Sequence, residues 1–285
     1  MKAFIPATPP DDAGPEVRTT LPPGTAPGVP AATEVHVRGA HAAVIAPGFE
    51  DEVAVEEPLE IRVDGRPLAI TMRTPGHDEE LALGFLHGEG LIDRAHKAGP
   101  PTDLAANTID VEGPLLRQPD QRAFFTSSSC GVCGKGALEQ VAVHAPPIDD
   151  ASTIDRTLLA DLPNRLTQPT FARTGGLHAT GLFTFAGELV VVREDVGRHK
   201  AMDKAIGRQL LDGVRLGDYV ACVSGRLSFE LVQKAVIARI PVLVGVGAPS
   251  SLAVSLAQDR NLTLAGFARH GRVNVYTGGQ RVSDE

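Results

Sequence analysis

Cysteine is scarce in this chain, excess positive charge is absent and no long apolar run occurs, and each shortage removes a class of protein. Three cysteines in 285 residues are too few for a disulfide framework, and Cys222 would stay unpaired if the close pair Cys130 and Cys133 bonded. That usage fits a reducing cytoplasm. No apolar stretch approaches the roughly 20 residues of a membrane span, and the first residues lack the apolar region of a secretory signal, so a soluble protein is expected. A formal net charge of −8 counts against a general nucleic-acid binder, because phosphate backbones reward clustered Lys and Arg. It leaves room for a local basic pocket that holds one small anion. What is present is a 42% hydrophobic chain, long enough to bury a sizeable core in one or two domains.

Residues 1–33, rich in Pro, Gly, Thr and Ala, bury too little to offset ordering entropy and are expected to be a disordered tail. Patterned sequence begins near Val53. Strand-like Glu60-Ile61-Arg62-Val63 runs through Asp64-Gly65 into Pro67-Leu68-Ala69-Ile70-Thr71-Met72, which predicts a β-hairpin. A helix follows with Asp78 as its N-cap, acids in its first turn and Gly88 and Gly90 as stops. Residues 97–120 read as surface loop and edge strand. The second half alternates: a hairpin around Gly187, a helix at 199–211, a strand at 219–223, a helix at 228–239, a strand at 241–246, a helix at 251–258 and a strand at 262–265. This order predicts an α/β fold with a mostly parallel sheet, and such sheets gather ligands where loops leave the carboxyl ends of the strands. Those loops are Ser224-Gly225-Arg226, residues 247–251, and Phe267, Ala268, Arg269, His270, Gly271 and Arg272, all suited to an anionic ligand.

The chemistry centres on Cys130-Gly131-Val132-Cys133, set among serines and glycines ahead of a helical face of Ala137, Leu138, Val141 and Ala142. Such a loop has little core to fill, so the thiols read as functional rather than packed. A helix N-terminus lowers a thiol pKa from about 8.5 and yields a thiolate that can attack and carry a second sulfur as a persulfide. Zinc is the rival, with His178 as third ligand. However, zinc deaminases place a histidine-x-glutamate ahead of their cysteines, whereas here His178 follows them and Thr180 stands at the glutamate position. Cys222, inside an apolar strand, reads as core. The segment from Arg193 to Lys200 carries six charged or titratable groups. It is either a solvated turn or a site in which Arg198 or His199 meets a phosphate and Asp195 orients His199.

Glu56-Glu57-Pro58-Leu59-Glu60-Ile61, Thr71-Met72-Arg73-Thr74-Pro75-Gly76, residues 79–90, Ser128-Ser129-Cys130-Gly131-Val132-Cys133-Gly134, Thr174-Gly175-Gly176, residues 193–199, Val223-Ser224-Gly225-Arg226, Phe229-Glu230-Leu231 and Asn274-Val275-Tyr276-Thr277-Gly278 occur together and in order. In this the chain resembles the formate dehydrogenase accessory sulfurtransferase family, FdhD, over roughly residues 53–282. The resemblance implies a sulfur carrier that takes sulfur from a cysteine desulfurase and passes it to the molybdenum or tungsten bis-molybdopterin guanine dinucleotide cofactor used by formate dehydrogenase. It marks Cys130 as the persulfide carrier, Cys133 as its partner, and Phe267 through Arg272 as the cofactor-binding stretch. It further implies a cytidine-deaminase-like three-layer core with a mixed sheet at residues 121–285, a smaller N-terminal hairpin-and-helix subdomain at 34–120, a homodimer, a cytoplasmic location and no resident metal. A binding module that only holds the cofactor and docks on the apo-dehydrogenase is the alternative from another class. Directly after His199, where the family often carries an uncharged amide, this chain has Lys200.

Overall fold

The computed structural model describes residues 17–19, 34–38, 41–46, 49–118, 124–126 and 145–284, with side chains at 51–118 and 145–284. Four short strands come first: β1 (Val17–Thr19), β2 (Glu34–Arg38), β3 (His41–Ala46) and β4 (Phe49–Ala54), antiparallel in that order. β1 lies within the stretch expected to be a disordered tail, so that expectation does not extend to Val17–Thr19.

Asp64 and Gly65 take φ of 48° and 74°, the two positive values a type I′ turn requires. They join β5 (Glu57–Val63) to β6 (Arg66–Arg73) as an antiparallel hairpin. After α1 (Asp78–Gly88) come β7 (Lys97–Gly99), β8 (Thr108–Glu112) and β9 (Phe124–Thr126), giving a five-stranded sheet of order β7-β8-β5-β6-β9. The stretch read as loop and edge strand thus holds an edge strand, β7, and an interior one, β8. β9 lies past residue 120, yet it pairs parallel to β6, so this sheet crosses the expected boundary between the two parts of the chain.

Asp78 is not the N-cap of α1. His77 holds that position in the left-handed region, and Asp78 is the first helical residue, its carboxylate accepting from Arg73 Nε and Nη2 at 2.9 and 3.0 Å. An almost fully buried guanidinium took the acid that the local pattern assigned to the backbone. The helix itself is buried from Glu80 to Gly88, as expected of one that is packed on several sides.

The second half starts with β10 (Ile154–Asp155), α2 (Arg156–Asp161) and α3 (Pro169–Thr174), elements the sequence pattern had not signalled. β11 (His178–Phe183) and β12 (Leu189–Asp195) form the hairpin around Gly187, and α4 (Arg198–Leu211), β13 (Val220–Val223), α5 (Phe229–Ile237), β14 (Val242–Gly245), α6 (Ser251–Asp259) and β15 (Thr263–Arg269) follow the anticipated alternation. β16 (Arg272–Thr277) returns along β15, and β17 (Val282–Ser283) pairs with β10. The six-stranded order is β12-β11-β13-β14-β15-β16. β13, β14 and β15 are parallel, whereas β11, β12 and β16 run antiparallel to their neighbours, so the sheet is mixed.

Strand alternation sorts its side chains onto two faces. Leu182, Ala221, Val223, Leu243 and Leu264 join α4, α5 and α6 in a core that runs on to Leu59, Ile61 and Ile109 of the five-stranded sheet. Phe183, Val220, Cys222, Val242, Val244 and Ala265 pack on the opposite face with Leu159, Leu162 and Leu166. Cys222 is fully buried in β13, as its apolar surroundings implied, and burial pushes its thiol up, away from reactivity.

The two halves meet where α1 crosses α4 backbone to backbone. A Cβ at Gly84 would lie 1.8 Å from the Asp203 carbonyl oxygen, and one at Gly207 would lie 1.8 Å from that of Glu80. Gly84→Ala must force the helices apart. It is expected to destabilise the protein by about 3 kcal/mol, the upper end of overpacking costs, read as a fall in urea midpoint. An unchanged midpoint would show that the crossing tolerates separation.

Candidate functional site

The loops at the carboxyl ends of β13, β14 and β15 are stitched together by backbone hydrogen bonds. Gly247 donates to the Gly225 carbonyl at 3.1 Å, and Phe267 donates to the Gly247 carbonyl at 3.2 Å. A Cβ at Gly247 would come within 2.9 Å of Arg226 Cα, so these loops approach as closely as they do only because the residue is glycine. Ser224 is held to β11: its Oγ accepts from the Ala179 amide at 2.9 Å and its own amide donates to the Ala179 carbonyl at 3.0 Å. Ser224, Gly225 and Phe267 are therefore brought together as the sequence anticipated.

The rest of the C-terminal stretch divides. Ala268 is fully buried in the core, which leaves it no surface to offer a ligand. His270 and Gly271, with φ of 52° and 71°, form the tight turn between β15 and β16, and Arg269 and Arg272 stand opposite each other at the base of that turn, both exposed. Neither guanidinium makes an ion pair among the described residues. Like charges placed directly opposite repel, so this pair is costly in the free protein and well placed for an anion.

Two residues weighed separately in the sequence, Arg198 as a phosphate contact and His178 as a third zinc ligand, complete the cationic edge. His178, at the start of β11, and Arg198, the first residue of α4, both lie against Gly225, about 3.3 and 3.8 Å from where its Cβ would be. Arg198 Nε is buried without a hydrogen-bond partner among the described residues. Burial lowers the His178 pKa, and the charges of Arg198, His199 and Arg226 lower it further. The same three groups disfavour a divalent cation at His178, and among the described residues no cluster of metal-ligating side chains occurs. The unpartnered Arg198 Nε–H, with the Arg226 charge nearby, suits an oxyanion such as a phosphate.

The charged turn ahead of α4 is not a solvated one. Asp195 is fully buried and accepts from Lys204 Nζ at 2.7 Å, from the Gly197 amide at 2.9 Å and from the Thr74 amide at 3.1 Å. Lys204 also donates to the Thr74 carbonyl at 2.8 Å, and Thr74 Oγ1 accepts from the Val196 amide at 3.0 Å. Asp195 thus fastens the Thr74 loop and does not orient His199. That role falls to Ser228 and Glu230, whose Oγ and Oε2 each lie 2.9 Å from His199 Nε2. Thr74 and Lys204 carried no signal of this in the sequence, because the contact joins residues 121 apart.

Arg193 forks onto Glu80 of α1, with Nη2 to Oε1 at 2.7 Å. Burial alone would push the Glu80 carboxyl up, but hydrogen bonds from Arg193 and His77, and their charges, bring it down to about 2 from an ordinary 4.5. Since the folded pKa lies below the unfolded one, the ionised pair contributes fully above about pH 4.5 and is lost as pH falls towards 2. The loss is on the order of 3 kcal/mol. Urea midpoints followed from pH 5 to pH 2.5 should fall more steeply in the parent protein than in Glu80→Gln.

Cys130 and Cys133 lie outside the described residues. The chain enters that stretch at Thr126, whose register partner in β6 is Thr71. Thr71 faces Val196, Gly197 and His199 across a small cavity, and His199 follows Arg198 in the first turn of α4.

The FdhD/NarQ family matches residues 54–283. The chain belongs to this family. It is 52% identical to the sulfur carrier protein FdhD of Streptomyces coelicolor, an alignment covering 82% of this chain and 89% of that one. It is 48% identical to the sulfur carrier protein FdhD of Mycobacterium tuberculosis, covering 82% and 92%. A crystal structure from Desulfotalea psychrophila, described as a candidate formate dehydrogenase accessory protein, superposes with a TM-score of 0.69 at 27% identity, covering 85% of this chain and 98% of that one. The match takes in both the charged turn and the carboxyl-end loops, so the FdhD/NarQ assignment covers the whole candidate site.

Proposed function

We propose that this FdhD/NarQ protein is a sulfur carrier for formate dehydrogenase, with Cys130 as the residue that holds the sulfur. The observation that carries the reading is the placement of the cysteine segment's start, at Thr126 beside Thr71, next to an edge lined by His178, Arg198 and Arg226. Four residues separate Thr126 from Cys130, a span of at most about 14 Å, and the reading requires the thiol to reach the edge within it.

In the first step the Cys130 thiolate attacks the outer sulfur of a persulfide on a cysteine desulfurase. The donor's S–S bond breaks, its cysteine leaves as thiolate, and Cys130 becomes the persulfide with no net oxidation. In the second, the Cys133 thiolate attacks the Cys130 sulfur and expels the outer sulfur as hydrosulfide, leaving a Cys130–Cys133 disulfide that a cellular dithiol reduces. The acceptor substrate is the molybdenum or tungsten bis-molybdopterin guanine dinucleotide, whose phosphates suit Arg198, Arg226, Arg269 and Arg272 together with the Gly225 and Gly247 backbone. Phe267, exposed beside Gly247, offers an apolar face to the guanine. The same reading keeps a homodimer, a cytoplasmic setting and cytidine-deaminase-like layering. Among the described residues no helix is long and apolar enough to cross a membrane.

The test is to incubate the protein with a cysteine desulfurase and cysteine, alkylate it and map the peptides by mass spectrometry. One additional sulfur atom should appear on Cys130 and none on Cys222. Sulfur confined to Cys222, or absent throughout, overturns the reading.

A further inference from the structure

Between β6 and the first turn of α4 lies a cavity of about 60 Å³, walled by Thr71, Gly197, His199 and Lys200 with Glu56 among its lining residues. Two of these side chains are buried and unpartnered. Thr71 is 1% exposed, and its Oγ1 has no hydrogen-bond partner among the described residues. Lys200 is 7% exposed, and its ammonium makes no hydrogen bond or ion pair among the described residues.

Of the carboxylates around it, Glu56 is exposed at the rim and makes no ion pair among the described residues, and the three buried or half-buried ones are engaged elsewhere. Asp195 is held by Lys204 at 2.7 Å, Asp203 by Lys234 at 2.7 Å, and Glu230 by His199 at 2.9 Å. A third donor set faces the same space. Gly197 caps α4 without a side chain, leaving the first-turn amides of this 14-residue helix open. An unpartnered ammonium on a buried side chain, a buried hydroxyl and an uncapped helix start around one small void are more than a water requires, since two of the three sources of donors carry positive charge.

We infer that this cavity binds a small monoanion of the hydrosulfide or halide class, gripped by Lys200 Nζ, Thr71 Oγ1 and the amides that open α4. Its size admits a one- or two-atom anion and excludes a nucleotide. Burial lowers the Lys200 pKa, and an anion in the cavity would raise it again by pairing with the ammonium. The site is separate from the cationic edge at Gly225, and its occupation does not depend on the sulfur-carrier reading, because simple salts suffice to probe it.

Crystals of the full chain soaked in sodium bromide should show an anomalous peak between Lys200 Nζ and Thr71 Oγ1. In solution, bromide should shift the amide resonances of Val196, Gly197 and His199 saturably, and hydrosulfide should displace it. Lys200→Met should weaken bromide binding roughly tenfold or more, and Thr71→Val, which keeps the side-chain shape, roughly fivefold. Displacement by hydrosulfide at lower concentration than by chloride marks the sulfur species as the ligand, and the reverse order marks a halide; either supports a monoanion site. An empty or water-filled cavity in the bromide soak, or unchanged bromide affinity in Thr71→Val and Lys200→Met, overturns it.

Discussion

Replacing Cys130 with alanine is expected to abolish activation of formate dehydrogenase while leaving the protein folded. Cysteine is the one natural side chain here that can hold a transferable sulfur, and Cys222, fully buried in β13 with its thiol pushed up, cannot substitute. Losing the covalent carrier should lower sulfur transfer by about three orders of magnitude or more. The measurement reconstitutes apo-dehydrogenase with a desulfurase, cysteine and the parent or variant protein. Cys133→Ala should still accept sulfur but release it poorly. A double variant that activates the enzyme normally would replace the carrier reading with the binding-module one, in which the protein only holds cofactor and docks. Guanine nucleotide binding at the Arg198 and Arg226 edge should be unchanged in all three variants, which separates loss of chemistry from loss of the acceptor site.

Lys204→Met should produce the largest loss of stability. Both partners of the Asp195–Lys204 pair are essentially without solvent contact, at 0% and 1% exposure, so removing the cation strands a carboxylate in the core. Breaking such a pair costs about 3–5 kcal/mol, and the Thr74 carbonyl loses its donor as well. Burial already holds the Asp195 pKa above its ordinary value despite Lys204. Without the lysine the carboxyl rises further, the folded variant binds a proton the unfolded chain has released, and its stability falls as pH rises above the ordinary carboxylate value. The deficit should therefore be largest at neutral pH and shrink towards pH 4. Urea denaturation at pH 7 showing Lys204→Met within about 1 kcal/mol of the parent would contradict this account. Asp195→Asn combined with Lys204→Met should recover part of the loss, because no charge is then left buried and the single amide oxygen still accepts from one of the two amides, Thr74 or Gly197, that the carboxylate held on separate oxygens.

The Arg193–Lys200 segment shows where sequence reading stops. Its charge density pointed equally to a wet turn and to a site, since a sequence states which groups are present but not what desolvates them. The fold placed Arg193 on Glu80, buried Asp195 against Lys204, turned Arg198 to Gly225, gave His199 to Glu230 and left Lys200 over a cavity. Asp78 shows the same limit in miniature. Its helix was found, but its carboxylate went to Arg73 rather than to the backbone. Ala268 belongs to the quoted binding stretch by position and to the core by burial, because the break in alternation at Phe267, where φ is 54° and the register shifts, turns it onto the same face as Ala265.

By itself the sequence determined what short-range physics controls: the Asp64-Gly65 turn, the helices and parallel strands of the second half, and the burial of Cys222. Each depends on neighbours a few residues away, through dihedral preference, apolar period or local composition. Only the tertiary structure decided which loops meet at Gly225, Gly247 and Phe267, which acid pairs with which base, and that α1 and α4 touch through Gly84 and Gly207. Those are contacts between distant segments in a low-dielectric interior, where one buried partner outweighs any local preference.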